Sequence, residues 1–199
     1  MSRPVGVNSE DTKKLIEDKA TKMFELKGYS ATSISDIKTE TQLSKGTVYY
    51  HFKNKEELYL YCLKQALNKF INEWKKGMVR EKSATDKLYL WAHLCSLELH
   101  NPLIKTIPEY MVSTNKDQIF VVKLLKPELD VLTEIIQEGI EKKEFNAELN
   151  IQEVSVILLS LISGLHDTSI ALIGFNTQKD KADLYRKATE TVINGIGIK

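Results

Sequence analysis

Three helix-starting signals crowd into one short stretch of the chain and limit what it can become. Ser33 with Asp36, Ser44 ahead of Lys45, and Asn54 with Glu57 each place a side-chain oxygen where the first N–H groups of a helix need an acceptor. Helices begun at such short intervals must be short and joined by tight turns. The arrangement that fits is a helix-turn-helix, preceded and followed by longer helices. The spacing predicts helices at 9–27, 33–41, 45–52 and 55–76. Gly28 is the expected stop of the first, and Gly77 of the fourth.

The rest of the chain also reads as helix. Only 4 prolines and 9 glycines interrupt 199 residues, and no alternating β-branched run appears. Further helices are predicted at 84–100, 102–114, 117–143, 151–173 and 178–195, with Pro127 kinking or restarting its helix at Lys126. The fold class is therefore all-α: an N-terminal three-helix helix-turn-helix domain over 1–56 and a larger helical domain over 57–199, about nine helices in all.

The segment LSKGTVYYHFKNKEEL carries the chemistry. Val48 and Phe52 are four apart and point toward Ile34, Ile37 and the first helix. Thr47, Tyr50 and His51 then point outward, with Lys45 and Tyr49 on one flank, and no acid falls between Ser44 and Lys55. Net charge is only +1, so whole-chain basicity carries no argument for nucleic acid. The local absence of carboxylates does, because a negative side chain would repel phosphate. Hydroxyls, imidazole and ammonium groups suit phosphate oxygens and base edges. Thr32 and Ser33 at the second helix and Lys55 at the fourth stand near helix N-termini, which favour anions.

FxxKGY (Phe24 to Tyr29), TSISDI (Thr32 to Ile37) and LSKGTVYYHFKNKEEL (Leu43 to Leu58) together resemble the DNA-binding domain of TetR-type bacterial transcriptional regulators. The segment 135–165 is similar, more loosely, to the part of that family that precedes its dimer helices. The resemblance implies a homodimer bound to a double-stranded DNA operator, and a C-terminal domain whose small-molecule effector usually relieves repression. It implies DNA contacts from Thr32, Ser33, Ser44, Lys45, Gly46, Thr47, Tyr49, Tyr50, His51 and Lys55, with Gly46 allowing close backbone approach. Two positions depart from the pattern: Lys38 where the family has a small residue, and Gln42 where it has a glycine at the turn. The departure at Gln42 predicts a wider or strained turn.

The second half carries less chemistry. Trp91, Leu94, Cys95, Tyr110, Met111 and His166 are candidate walls of an effector pocket. The helices at 151–173 and 178–195 are apolar over more than one face, through Ile157, Leu161, Leu165, Ile173, Leu184, Ala188 and Val192 among others. This predicts a dimer interface built from the last two helices. His93 and His100 share a helix face without a third ligand, so no metal or cofactor is expected. No nucleophile stands with a base and an orienting acid, so no enzyme is expected. Cys62 and Cys95 read as packed free thiols, and the apolar run 154–165 is too short for a membrane span. With no apolar leader at 1–14, the expected location is cytoplasmic. Two alternatives stand beside this reading. One is a DNA-binding protein of the same fold controlled by a protein partner; the other is a helical ligand carrier or enzyme.

Overall fold

The computed structural model describes residues 8–99, 102–173 and 177–197, without the side chains of 98, 99, 118 and 166–173. Among the described residues there are nine α-helices and no strand. They are α1 (Ser9–Lys27), α2 (Ile34–Thr41), α3 (Lys45–His51), α4 (Lys55–Met78), α5 (Ala84–Leu94), α6 (Ile107–Thr114), α7 (Gln118–Glu141), α8 (Ile151–Ile173) and α9 (Gln178–Ile196). A π-helical turn at Cys95–Leu99 follows α5, and a 3-10 turn at Pro102–Thr106 precedes α6.

The three caps form as their sequence predicts. The Ser33 hydroxyl accepts from the Asp36 N–H at 3.1 Å, and the Asp36 carboxylate accepts from the Ser33 N–H at 3.0 Å. Ser44 accepts from the Thr47 N–H at 3.0 Å, and Asn54 from the Glu57 N–H at 2.8 Å. These bonds satisfy donors that a helix start leaves without partners.

Elsewhere the boundaries move. The helix expected over 84–100 is regular only to Leu94 and then widens into the π turn. The helix expected from 102 is tight until Thr106, and Pro108, which has no N–H to lose, sits in the first turn of α6. Gly77 does not stop α4, which runs to Met78; it packs against Leu90 instead. Pro127 does not divide α7. One missing backbone bond is outweighed by the buried stripe that follows it, Val131, Leu132, Ile135 and Ile136. The Gln42 turn is compact, with Gln42 itself in the left-handed conformation at φ 57°. That costs a non-glycine residue about 1 kcal/mol.

The described residues gather into two compact units, one of 8–67 with 102–118 and the other of 68–99 with 119–197. The sequence division at 56/57 follows the helix-turn-helix; the packing instead assigns 102–118 to the N-terminal helices. In the first unit Ile16, Ala20 and Phe24 of α1 are buried with Ile34, Ile37, Val48, Phe52 and Leu58. Phe24, Tyr29, Tyr59 and Tyr110 form an aromatic cluster with ring centroids 4.7 to 6.2 Å apart.

The core of the second unit contains Trp74, Trp91, Cys95, Leu132, Ile136, Phe145, Leu158 and Tyr185. Glu144 closes it at one end, its carboxylate accepting from the Ala84 and Thr85 N–H groups at the start of α5 (2.9 and 3.0 Å). Burial pushes both thiols up, Cys62 to about 12, which keeps them unreactive.

Glu128, one residue beyond Pro127, is only 1 % exposed, and burial pushes its carboxyl up to about 7. A folded value above the ordinary 4.5 means that its contribution to stability is complete below about pH 4.5 and is lost as pH rises through 7. Chemical denaturation of the wild type and Glu128→Gln from pH 5 to pH 8 should therefore show the wild type losing up to about 3 kcal/mol relative to the variant.

Candidate nucleic-acid interface

A helix as short as α3 is not stable alone, so packing must hold it. Val48 and Phe52 do so, at 0 % and 2 % exposure. With that side fixed, Tyr50 is 72 % and Tyr49 43 % exposed. Single exposed aromatics are ordinary, but two in succession on a short helix form a platform. The Lys45 ammonium lies 5.7 Å from the Tyr49 ring centre, and the His51 ring meets the Tyr50 ring edge-on at 5.1 Å. The Ser44 and Thr47 hydroxyls bond each other at 2.8 Å on the same helix start.

Among the described residues, some lysines of the first unit are ion-paired and others are not. On α1, Lys14 and Lys19 are held by carboxylates at 2.9 Å. Lys38, Lys45 and Lys53 are exposed and, among the described residues, have no carboxylate within ion-pair distance. Lys38, one of the two departures from the family pattern, and Lys53 thus belong with Lys45 as candidate phosphate donors. Gly46 is informative for another reason: a Cβ built there would meet only the Ser44 hydroxyl, at 3.7 Å. Nothing among the described residues requires a glycine at this place.

Three expected phosphate contacts have other partners. Thr32 is buried, and its hydroxyl donates to the Gly28 and Met23 carbonyls (2.8 and 3.3 Å). The N–H and hydroxyl of Ser33 both donate to Asp36, so the start of α2 already holds an anion. The hydrogen bonds from Ser33 keep the Asp36 carboxyl below its usual value. Lys55 donates to the Tyr29 carbonyl at 2.9 Å and lies 4.1 Å over the Tyr29 ring, and burial lowers its pKa. These side chains hold the α1–α2 turn, which one-dimensional spacing does not reveal.

The proposed pocket wall divides in the same way. Trp91 and Cys95 are buried in the second unit, with Leu94 packed against that core. Tyr110 and Met111 belong to the first unit, where the Tyr110 hydroxyl donates to Glu56 at 2.9 Å. The side chain of His166, and all of His100, lie outside the described residues. The cavity found in the second unit, about 490 Å³, lies between α5 and α9 and is lined by Glu81, Tyr89, His93, Asp183 and Arg186 among others. Among the described residues no three His, Cys, Asp or Glu side chains gather to hold a metal, and no helix is long and apolar enough to cross a membrane.

A capped, pinned helix presenting tyrosines and unpaired lysines from a helix-turn-helix defines a reader of DNA. Residues 16–62 match the family described as bacterial regulatory proteins, tetR family, and residues 66–198 match the QacR-like protein, C-terminal region. The chain belongs to the tetR family of bacterial transcriptional regulators, with a QacR-like C-terminal region.

It is 29 % identical over 185 residues to the HTH-type transcriptional regulator QacR of Staphylococcus aureus, covering 89 % of this chain and 94 % of that one. It is 28 % identical over 185 residues to the fatty acid metabolism regulator protein of Bacillus subtilis, covering 91 % and 93 %. The crystal structure of the transcriptional regulator FadR from Bacillus subtilis in complex with stearoyl-CoA shares the fold, with a TM-score of 0.78 at 22 % identity, covering 92 % of this chain and 98 % of that one.

Gly46→Ala should separate folding from recognition. Thermal melts should show a stability equal to or above wild type, since alanine favours a helix by roughly 0.5–1 kcal/mol. Gel shifts should show operator affinity falling about tenfold, or about 1.4 kcal/mol, because the methyl group meets the DNA.

Proposed function

We propose that the protein is a ligand-responsive repressor that binds a palindromic operator as a homodimer. The observation that carries the DNA role is the α3 face: exposed Tyr49 and Tyr50, unpaired Lys45, and a glycine that the fold itself does not need. Ser44, Thr47 and His51 complete it. Two copies would enter successive major grooves about 34 Å apart. Lys38 and Lys53 flank the face and fix its register on phosphate.

The dimer rests on α8 and α9. Val154, Leu158 and Ile162 are buried in the unit's own core, whereas Val156 and Ile157 are 50 % and 54 % exposed on the same helix. A helix with apolar residues on both its buried and exposed faces has a second surface to cover.

The effector belongs in the second unit. Its core buries the indole N–H groups of Trp74 and Trp91, which donate to no acceptor among the described residues, and it buries the Glu128 carboxyl. A small, largely apolar molecule with a polar group would satisfy such donors. The FadR structure was solved with stearoyl-CoA, which joins a long apolar acyl chain to a polar, phosphate-bearing coenzyme A group. An effector that binds better to one head spacing lowers the DNA-competent population, with a coupling of about 1–3 kcal/mol.

Footprinting on the gene's own upstream DNA identifies the operator, and fluorescence anisotropy across a salt series then tests the face. Tyr50→Ala with Lys45→Ala should lower affinity and reduce the salt slope by about one for each phosphate no longer neutralised. An unchanged slope and affinity would refute the assignment.

For the dimer, light scattering should show Ile157→Glu shifting the protein to monomer. Operator affinity should fall by at least tenfold, since a single head reads only one half-site.

A further inference from the structure

The segment 102–118 stands some eighty residues from the α1–α2 turn in sequence, yet it is bonded to that turn. The Glu109 carboxylate accepts from the Ser30 N–H at 2.8 Å and from the Tyr29 N–H at 3.2 Å. The Ser30 and Ser113 hydroxyls bond at 2.6 Å. Gly28 takes φ 81°, and a Cβ there would overlap the Glu109 carboxylate, so the glycine is needed for both conformation and approach. On its other side the turn is held by Lys55, which donates to the Tyr29 carbonyl, and by Thr32, which donates to the Gly28 carbonyl. Ser33, the cap of α2, follows directly.

We infer that Glu109 is a positioning residue for operator reading: its carboxylate grips the two turn amides and so sets the start of α2 and the seat of α3. This rests on the DNA-reading role of α3. Lysine offers no acceptor, and a neutral amide oxygen accepts such N–H groups more weakly than a charged carboxylate, which gives one oxygen to each here. The Ser30 N–H, foremost among several donors, holds the Glu109 carboxyl below its usual range, so the grip persists across neutral and mildly acidic pH. Two further bonds keep α6 in place to offer that carboxylate. The Tyr59 and Thr106 hydroxyls bond at 2.8 Å, and Lys116 pairs with Glu56 at 2.9 Å. Displacing 102–118 therefore releases the turn, and with it the helix pair that meets DNA.

The test is Glu109→Gln, which keeps the shape but removes one acceptor oxygen, beside Glu109→Asp, which keeps both. Three quantities are read: anisotropy on the footprinted operator, anisotropy on a scrambled duplex, and hydrogen exchange of the Ser30 amide by NMR. Glu109→Gln should weaken operator binding about tenfold, the scale of one mismatched base pair, with binding to the scrambled duplex within twofold of wild type. The Ser30 amide should lose protection, and Glu109→Asp should recover part of both effects.

Operator affinity within twofold of wild type, equal weakening on both duplexes, or Glu109→Asp behaving as Glu109→Gln would each overturn the inference. Should Glu109→Gln fail to fold, Ser113→Ala removes one exposed bond to the same turn. It should shift operator affinity two- to threefold in the same direction, and no shift overturns the inference. Wild-type protein that binds no operator refutes the DNA role itself, a distinct outcome.

Discussion

The burial of Val48 and Phe52 is the constraint on which the DNA-facing surface depends. A seven-residue helix has too few internal hydrogen bonds to persist by itself. Its two apolar anchors dock it, and the Ser44 cap fixes where it begins. Once those three points are set, the helix has no freedom to rotate. Tyr49 and Tyr50 then face outward because the inward seats are taken. The lengths of α2 and α3 follow from the same requirement, since each must end where the next cap begins.

Charge is arranged at the same scale. A net charge of +1 describes a chain whose basic and acidic side chains nearly balance, 28 against 27. Around the α3 face Lys38, Lys45 and Lys53 stand without a carboxylate partner among the described residues, and the carboxylates nearby are committed. Asp36 is bound to Ser33, and Glu57 accepts from the Lys53 N–H at 2.7 Å. The negative groups around the reading helix therefore serve as helix caps rather than as repellers of phosphate. Local arrangement matters more than the total because charges beyond about 10 Å are screened at moderate salt.

What was legible in the sequence was what depends on near neighbours. The caps at Ser33, Ser44 and Asn54, the anchors Val48 and Phe52, and the helical class all follow from spacings within one or two turns. The left-handed Gln42 was legible as a departure, though the turn remains compact. The roles of Thr32 and Lys55 were not, because each is set by a carbonyl presented by a folded turn. The grouping of 102–118 with the N-terminal helices was hidden for the same reason: it depends on backbone amides of Tyr29 and Ser30, which any sequence possesses. Pro127 misled because a local rule was outweighed by the burial of the α7 stripe, a nonlocal term. That Tyr110 and Met111 belong to one compact unit and Trp91 to the other was equally hidden, since helical periodicity shows which face is buried but not against what.

Two carboxylates do corresponding work in the two units. Glu144 takes the first N–H groups of α5, and Glu109 takes those of the α1–α2 turn. Each satisfies two backbone donors at once. A hydrogen bond to a charged group contributes about 1.5–3 kcal/mol when intact, less where water competes. That is the size of the coupling by which regulators shift affinity, about 1–3 kcal/mol. Residues 102–118 are joined covalently to the second unit at both ends, through 68–99 before them and 119–197 after. A rearrangement there that strains this segment would act on such bonds and on the packing of Tyr110 against Tyr29 and Tyr59.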